Sequence, residues 1–243
     1  MQYERKKGLN ISALSLGTVQ LGMSYGIANH RGQPEESESF RILEAALQGG
    51  VSCFDTAHAY GNSEQVLGKF FAGKQKPLLV TKMRLDVSPD ASRKQVERTM
   101  YRIVEQSLTN LGLKQIQVMM LHNSDVLADH AEVIADTFRQ LIHEQWINKA
   151  GVSMGANVRE QQNRHIWKAA EEDVYEAVQI PINILDRRLE RNGQLKRLKE
   201  SGKIVFARSV FLQGLLFLEP DSLPAHLQAI KPMLEWLRHL AEE

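Results

Sequence analysis

The 243 residues carry 30 Lys and Arg against 29 Asp and Glu, a formal net charge of +1 without a long block of one sign, which argues against nucleic acid or an anionic membrane as partner. Cys53 is the sole cysteine, which excludes an internal disulfide and a Cys-rich zinc site, and its place in a strand suits burial. No segment approaches the ~18 consecutive apolar residues of a membrane span, so a single cytoplasmic domain over 1–243 is expected.

In chain order, Met1 to Leu16 has Leu9, Ile11, Leu14 and Leu16 around a Gly8-Leu9-Asn10 turn, predicting a hairpin that runs into a strand over Ser12 to Gly17. Thr18 to Gly32 is glycine-rich, matches neither a G-x-G-x-x-G nor a Walker pattern, and reads as a loop. Pro34 and Glu35-Glu36 open a helix with Phe40, Leu43, Ala46 and Leu47 on its apolar face, stopped by Gly49-Gly50. Val51 to Phe54 is then a buried strand closed by Asp55, with Tyr60 in the loop before a helix over about 64–71.

Further strands are predicted over Pro77 to Lys82, Ile116 to His122, Lys149 to Ser153, Val174 to Gln179 and Lys203 to Ser209. Between them lie helical patterns over Val96 to Leu111, Ala131 to Trp146, Glu160 to Ala170 and Leu185 to Glu200, with a last helix over Ala225 to Glu243. This alternation indicates parallel βαβ units with right-handed crossovers. An open doubly wound sheet and a (β/α)8 TIM barrel both suit it. The barrel is favoured because nearly every strand ends in a polar group, whereas an open sheet gathers its site at one switch point. Side-chain parity agrees: Asp55 shares a face with Cys53 and Val51, Lys82 with Val80 and Leu78, His122 with Met120 and Val118. Ser153 goes with Gly151, Gln179 with Ala177 and Tyr175, and Arg208 with Phe206 and Ile204.

Asp55, Tyr60, Lys82 and His122 thereby converge at one barrel mouth. An ammonium beside a phenol favours its ionised form, a carboxylate holds that ammonium charged and aimed, and an imidazole can orient a carbonyl oxygen. The set suits proton donation to a carbonyl as hydride arrives from a nicotinamide cofactor. A metal-dependent hydrolase using Asp55, His58 and His122 is the weaker reading, because no H-x-H follows the first barrel strand and ligands are too few. A noncatalytic nucleotide-binding or partner-binding module is a third. Taken singly, His58, His130, His143 and His165 have no nameable partner, and Trp146, Trp167 and Trp236 read as packing groups.

The pieces Leu14-Ser-Leu-Gly-Thr18, Phe54-Asp-Thr-Ala57 with Tyr60-Gly-Asn62, Val80-Thr-Lys82, Ser107-Leu-Thr-Asn-Leu-Gly112, Leu121-His122, Gly151-Val-Ser153 and the Gln179 strand resemble the aldo-keto reductase superfamily in order and spacing. That resemblance implies a (β/α)8 barrel with an N-terminal hairpin, reducing a small-molecule aldehyde or ketone with NADPH or, less often, NADH. It implies Tyr60 as general acid, Lys82 and Asp55 tuning it, and His122 positioning the substrate. It also implies a cofactor site from Gly17, Thr18, Ser153, Gln179, Arg208, Ser209, Leu212 and Gln213. Met154 stands where an asparagine usually joins the serine, and Arg208 where many members stack a tyrosine or tryptophan on the nicotinamide. Family members continue into an eighth strand, a segment binding the 2′-phosphate and a closing helix; this sequence reaches Glu243 after seven strands, so an incomplete barrel is expected.

Overall fold

The computed structural model describes residues 1–155 and 163–242. An antiparallel hairpin, β1 (Tyr3–Lys6) and β2 (Leu9–Ser12), precedes seven parallel strands. These are β3 (Leu16–Gly17), β4 (Cys53–Asp55), β5 (Leu78–Met83), β6 (Ile116–Leu121), β7 (Ile147–Ser153), β8 (Tyr175–Pro181) and β9 (Ile204–Arg208), hydrogen-bonded in that order. Main helices are α1 (Val19–Gly22), α2 (Glu36–Gln48), α3 (Ser63–Phe70), α4 (Arg93–Leu111), α5 (Leu127–His143), α6 (Arg164–Ala170), α7 (Arg188–Arg191), α8 (Gln194–Glu200) and α9 (Lys231–Glu242).

The sheet curls. Ile11 of the hairpin, Cys53, Leu78, Val80, Val118, Met120, Ala177 and Ile204 form one buried cluster, with Leu9 and Phe206 against it. These are the alternate residues of the strands, so their shared face is the barrel interior and the hairpin closes its amino end. A larger apolar layer between sheet and helices includes Met100, Val104, Met119, Ile134, Phe138, Leu141 and Val178. Among the described residues β3 and β9 are the sheet's two edges, as expected for seven strands of a barrel. The loops that follow those two edge strands meet, the Ala28 N–H donating to the Gln213 carbonyl at 3.4 Å.

Local chemistry accounts for the boundaries. Ser92 and Gln95 form a reciprocal capping box at the start of α4, and Gly112, at φ 59°, ends it. Several expectations shift. Lys7 and Gly8, both at positive φ, make the hairpin turn in place of Gly8-Leu9-Asn10, and Ser12 belongs to the hairpin, which leaves β3 only two residues. The Thr18 to Gly32 loop contains α1. The helix predicted across Leu185 to Glu200 is two, because Gly193 at φ 78° breaks it. A 3-10 segment, Ala225–Ile230, replaces the first turns of the last helix. The predicted start of the helix before β8 lies outside the described residues, as does Glu243.

Tyr175 was expected on the interior face with Ala177 and Gln179, yet it packs edge-on against Phe138 of α5 in the outer layer. The register explains it: Ala150 pairs with Tyr175 and the next residue, Gly151, pairs with Ala177, so a bulge at Glu176 turns Tyr175 over. Above the bulge the parity is restored.

Candidate active site

Asp55 is the last residue of β4, and the chain above it continues the ladder. The Thr56 N–H donates to the Val80 carbonyl at 2.8 Å and the His58 N–H to the Lys82 carbonyl at 3.0 Å. Tyr60 follows on a tight turn, and Gly22 and Gly61 let that turn lie directly on the end of α1. A Cβ at Gly22 would sit 1.9 Å from the Tyr60 carbonyl oxygen, and one at Gly61 would sit 2.1 Å from the Gly22 carbonyl oxygen. Beneath, the hydroxyls of Thr18, Ser63 and Thr56 bond to one another, with Thr18 Oγ1 donating to the Asp55 carbonyl at 3.0 Å. The phenol is therefore carried on a backbone with little room to move.

Lys82 is fully buried. Its Nζ donates to Asp55 Oδ2 at 2.7 Å and to the Thr56 carbonyl at 2.8 Å, and lies 5.1 Å from the centroid of the Tyr60 ring. A buried ammonium is tolerated only with such partners. His122 lies just past β6, its ring edge-on to Tyr60 at 5.5 Å between centroids. Burial, and then the charges of Lys82, Arg208 and Arg84, push its imidazole down to about 4, so it is neutral at physiological pH. Its Nδ1 is buried and has no hydrogen-bond partner among the described residues.

The far side of the mouth joins this group directly. Ser153 Oγ donates to Gln179 Oε1 at 3.2 Å, and Gln179 Nε2 donates to Asp55 Oδ1 at 3.0 Å. β8 is four places from β4 in the sheet, which for a flat sheet means about 19 Å; the contact exists because the sheet curls. Arg208, at the end of β9, reaches across β8 to donate from Nη2 to the Met154 carbonyl at 2.9 Å, and from Nη1 to Ser209 Oγ at 3.1 Å.

Six of the anticipated residues, Asp55, Tyr60, Lys82, His122, Ser153 and Gln179, thus form one connected set, and Arg208 is bonded to the residue that follows Ser153. Gly17 is exposed on the edge strand, whereas Thr18 is wholly buried with its hydroxyl occupied. Ser209, Leu212 and Gln213 adopt positive φ of 60°, 49° and 58°, an uncommon run for residues other than glycine and a feature of ligand-binding turns. Gln213 packs against Gly26 and Ala28 of the loop after β3.

Some participants were not anticipated. Glu64, buried in the first turn of α3, accepts from Thr81 Oγ1 at 2.6 Å and Asn110 Nδ2 at 3.0 Å, with His58 Nδ1 3.7 Å away at ion-pair but not hydrogen-bond distance. Burial opposes its charge, yet these donors together hold its carboxyl below the ordinary range. His58 and His130 therefore have neighbours after all, the second through Nε2 at 2.9 Å from the Ser88 carbonyl. Trp236 does not pack: it is 58% exposed on α9. Tyr25, in the loop after β3, stands within electrostatic reach of Tyr60 and Arg208. Among the described residues no group of three or more His, Cys, Asp or Glu is placed to hold a metal.

The family model described as Aldo/keto reductase family matches residues 13–240. The chain belongs to this family. Among curated relatives, an uncharacterised oxidoreductase of Bacillus subtilis, YrpG, is 30% identical over 138 residues, 51% of this chain and 40% of the relative. The L-glyceraldehyde 3-phosphate reductase of Escherichia coli O157:H7 is 29% identical over 246 residues, 89% of this chain and 63% of the relative. The chain thus spans less than two thirds of either relative. Among solved structures, the holo form of aldo-keto reductase AKR11C1 from Bacillus halodurans aligns with a TM-score of 0.69 at 25% identity, covering 93% of this chain and 71% of that one. Among the described residues no helix of this aldo/keto reductase is long and apolar enough to cross a membrane.

Proposed function

We propose that this chain carries the reaction centre of a carbonyl reductase that converts an aldehyde or ketone to the alcohol, and the reverse, with a nicotinamide nucleotide. The observation that supports it most is the fully buried Lys82 ammonium, bonded to Asp55 and 5.1 Å from the Tyr60 ring. In this reading Tyr60 donates the proton to the carbonyl oxygen. As that proton leaves, negative charge develops on the phenol oxygen, and the Lys82 ammonium stabilises it in a site with little water. Asp55 and the Thr56 carbonyl hold the ammonium in place. Neutral His122, edge-on to Tyr60, offers an N–H to the same carbonyl oxygen and so orients it for the proton transfer.

The residues also suit a nicotinamide. Ser153 and Gln179 bring a hydroxyl and a primary amide to adjacent strand ends, complementary in donors and acceptors to a carboxamide. The left-handed turn over Ser209, Leu212 and Gln213 is fitted to a pyrophosphate. NADPH, with NADH as the alternative, supplies the hydride when bound. An aldehyde is the first substrate class to try, since the Escherichia coli relative is by its name a reductase of one.

Tyr60→Phe tests the assignment. NADPH oxidation across a panel of aldehydes and ketones is expected to fall by at least about a hundredfold, the contribution of general acid catalysis. The melting temperature is expected to stay within a few degrees. Turnover retained in the phenylalanine variant would remove Tyr60 from the proton-donor role.

A further inference from the structure

His122 is aimed without a hydrogen bond to hold its ring. The Nδ1 is buried and has no partner among the described residues, and the edge-on contact to Tyr60 at 5.5 Å is the ring's one aromatic neighbour among them. Two torsions separate the imidazole from the backbone, so its place at the mouth depends on how firmly that backbone is held.

On the near side the hold is an ordinary ladder bond. The His122 N–H donates to the Met83 carbonyl at 2.7 Å, continuing the β5–β6 pairing past the end of β6. Bonds of a parallel ladder are evenly spaced and run alternately from the two strands, so the next would carry the Leu85 N–H to the His122 carbonyl. A side chain takes that place instead. The Leu85 N–H donates to Asn123 Oδ1 at 2.9 Å, and Asn123 Nδ2 donates to the Leu85 carbonyl at 3.1 Å. A primary amide carries a donor and an acceptor side by side, as a peptide group does, and so satisfies both polar groups of one residue at once. Leu85 is itself packed in the buried layer between sheet and helices, which makes it a fixed point. The next residue is tied to the opposite neighbour: the buried Ser124 hydroxyl accepts from the Gly155 N–H, just past β7, at 3.2 Å.

We propose that Asn123 is a positioning residue of the site, its amide replacing a rung of the β5–β6 ladder and thereby setting the place of the His122 imidazole against Tyr60. The inference rests on the carbonyl-reductase reading for what His122 does once placed. The molecule supplies its own control, because Gln117 performs the same substitution at the opposite end of β6, where its Oε1 accepts from the Leu79 N–H at 2.9 Å. A staple that only joined β5 to β6 would have the same effect at either end.

Asn123→Leu and Gln117→Met are therefore compared, each with histidine at position 122 and in the His122→Ala background. The readouts are the Tyr60–His122 ring-to-ring NOE by NMR and kcat/KM for NADPH oxidation over the panel of aldehydes and ketones. Asn123→Leu is expected to lose most of the NOE and about 10- to 100-fold in kcat/KM, the cost of a displacement on the order of 1 Å. Gln117→Met should keep the NOE and stay within about threefold in kcat/KM, although it also gives up a bond between the same two strands. In the His122→Ala background the effect of Asn123→Leu on kcat/KM should shrink to about threefold or less, since no ring remains to be placed. Asn123→Asp keeps an acceptor for the Leu85 N–H and loses the donor; it decides the matter if Asn123→Leu does not fold, with a smaller loss that again depends on His122. A retained NOE with kcat/KM within threefold overturns the proposal. Equal losses with and without His122, or a loss in Gln117→Met as large as in Asn123→Leu, overturn it as well. Failure of the reductase reading would show separately, as absent NADPH oxidation in the wild type while the NOE is still lost in Asn123→Leu and kept in Gln117→Met.

Discussion

Gly22→Ala is the most incisive perturbation of the site, because it adds one methyl group and changes no charge. That methyl would lie 1.9 Å from the Tyr60 carbonyl oxygen and 2.5 Å from the Ser63 nitrogen, both backbone atoms that cannot rotate away. Ordinary contact begins near 3.4 Å, so the end of α1 and the Tyr60 turn must separate by roughly 1.5 Å. Two effects oppose each other in stability. Overpacking costs about 1–3 kcal/mol, while alanine at the end of a helix recovers up to about 1 kcal/mol over glycine. A net loss of about 1–2 kcal/mol lowers the melting temperature by about 2–8 °C, leaving a folded protein. Activity should suffer more, since a displacement of about 1 Å at a positioned catalytic group costs on the order of a hundredfold. The assays are kcat/KM for NADPH oxidation, thermal denaturation, and the aromatic NMR signals of Tyr60 and His122, whose edge-on contact would be disturbed. Gly17→Ala is the control, as its added Cβ meets nothing within 4 Å, and its stability should stay within about 0.5 kcal/mol. Unchanged ring signals together with kcat/KM within threefold of wild type would refute the argument that the glycine contact fixes Tyr60.

Lys82→Met leaves Asp55 without its cation; as the carboxylate is 18% exposed, the loss should fall at the low end of the buried-pair range, about 3 kcal/mol by chemical denaturation, and Asp55→Asn in the same chain should restore part of it. His122 is held at about 4 in the folded state against 6.5 unfolded, so the unfolded chain binds the extra proton first. Its contribution is therefore intact above pH 6.5 and is lost as pH falls to about 4. The loss is at most roughly 3 kcal/mol, and His122→Gln should flatten that part of the stability profile. Glu64→Ala leaves the buried Thr81 hydroxyl and the half-buried Asn110 Nδ2 without their acceptor and should cost about 2–4 kcal/mol, read as a shift in the denaturation midpoint.

Much of the mouth was legible because strand parity is a local property. Cys53, Val80, Val118 and Met120 line the interior as their two-residue spacing requires, and each points the way to Asp55, Lys82 and His122 above it. Tyr175 broke the rule because a one-residue bulge depends on how two strands pair, which neither strand alone reveals. Glu64 looked like a helix-start residue, and it is one; that it is also buried depends on Thr81 and Asn110, 17 and 46 residues away. The bond from Arg208 to the Met154 carbonyl was equally hidden, since it reaches across β8 between residues 54 positions apart. The break at Gly193 was available locally, as an Asn-Gly pair within a charged run, but the continuous alternation of charges on either side masked it.

The amide of Gln179 has consequences beyond its two contacts. It uses one of its two N–H groups on Asp55 and one of its two carbonyl lone pairs on Ser153, which leaves one of each for a visitor. A ligand that takes the remaining pair need not break the chain from Ser153 to Lys82; it lengthens it, and hydrogen bonds in such a chain polarise one another. Ligand affinity at Gln179 and the strength of its bond to Asp55 are then reciprocally linked, each altering the other by the same factor. One neutral side chain thereby makes the hydrogen bonding of the ion pair on one side of the barrel a term in the binding constant on the other.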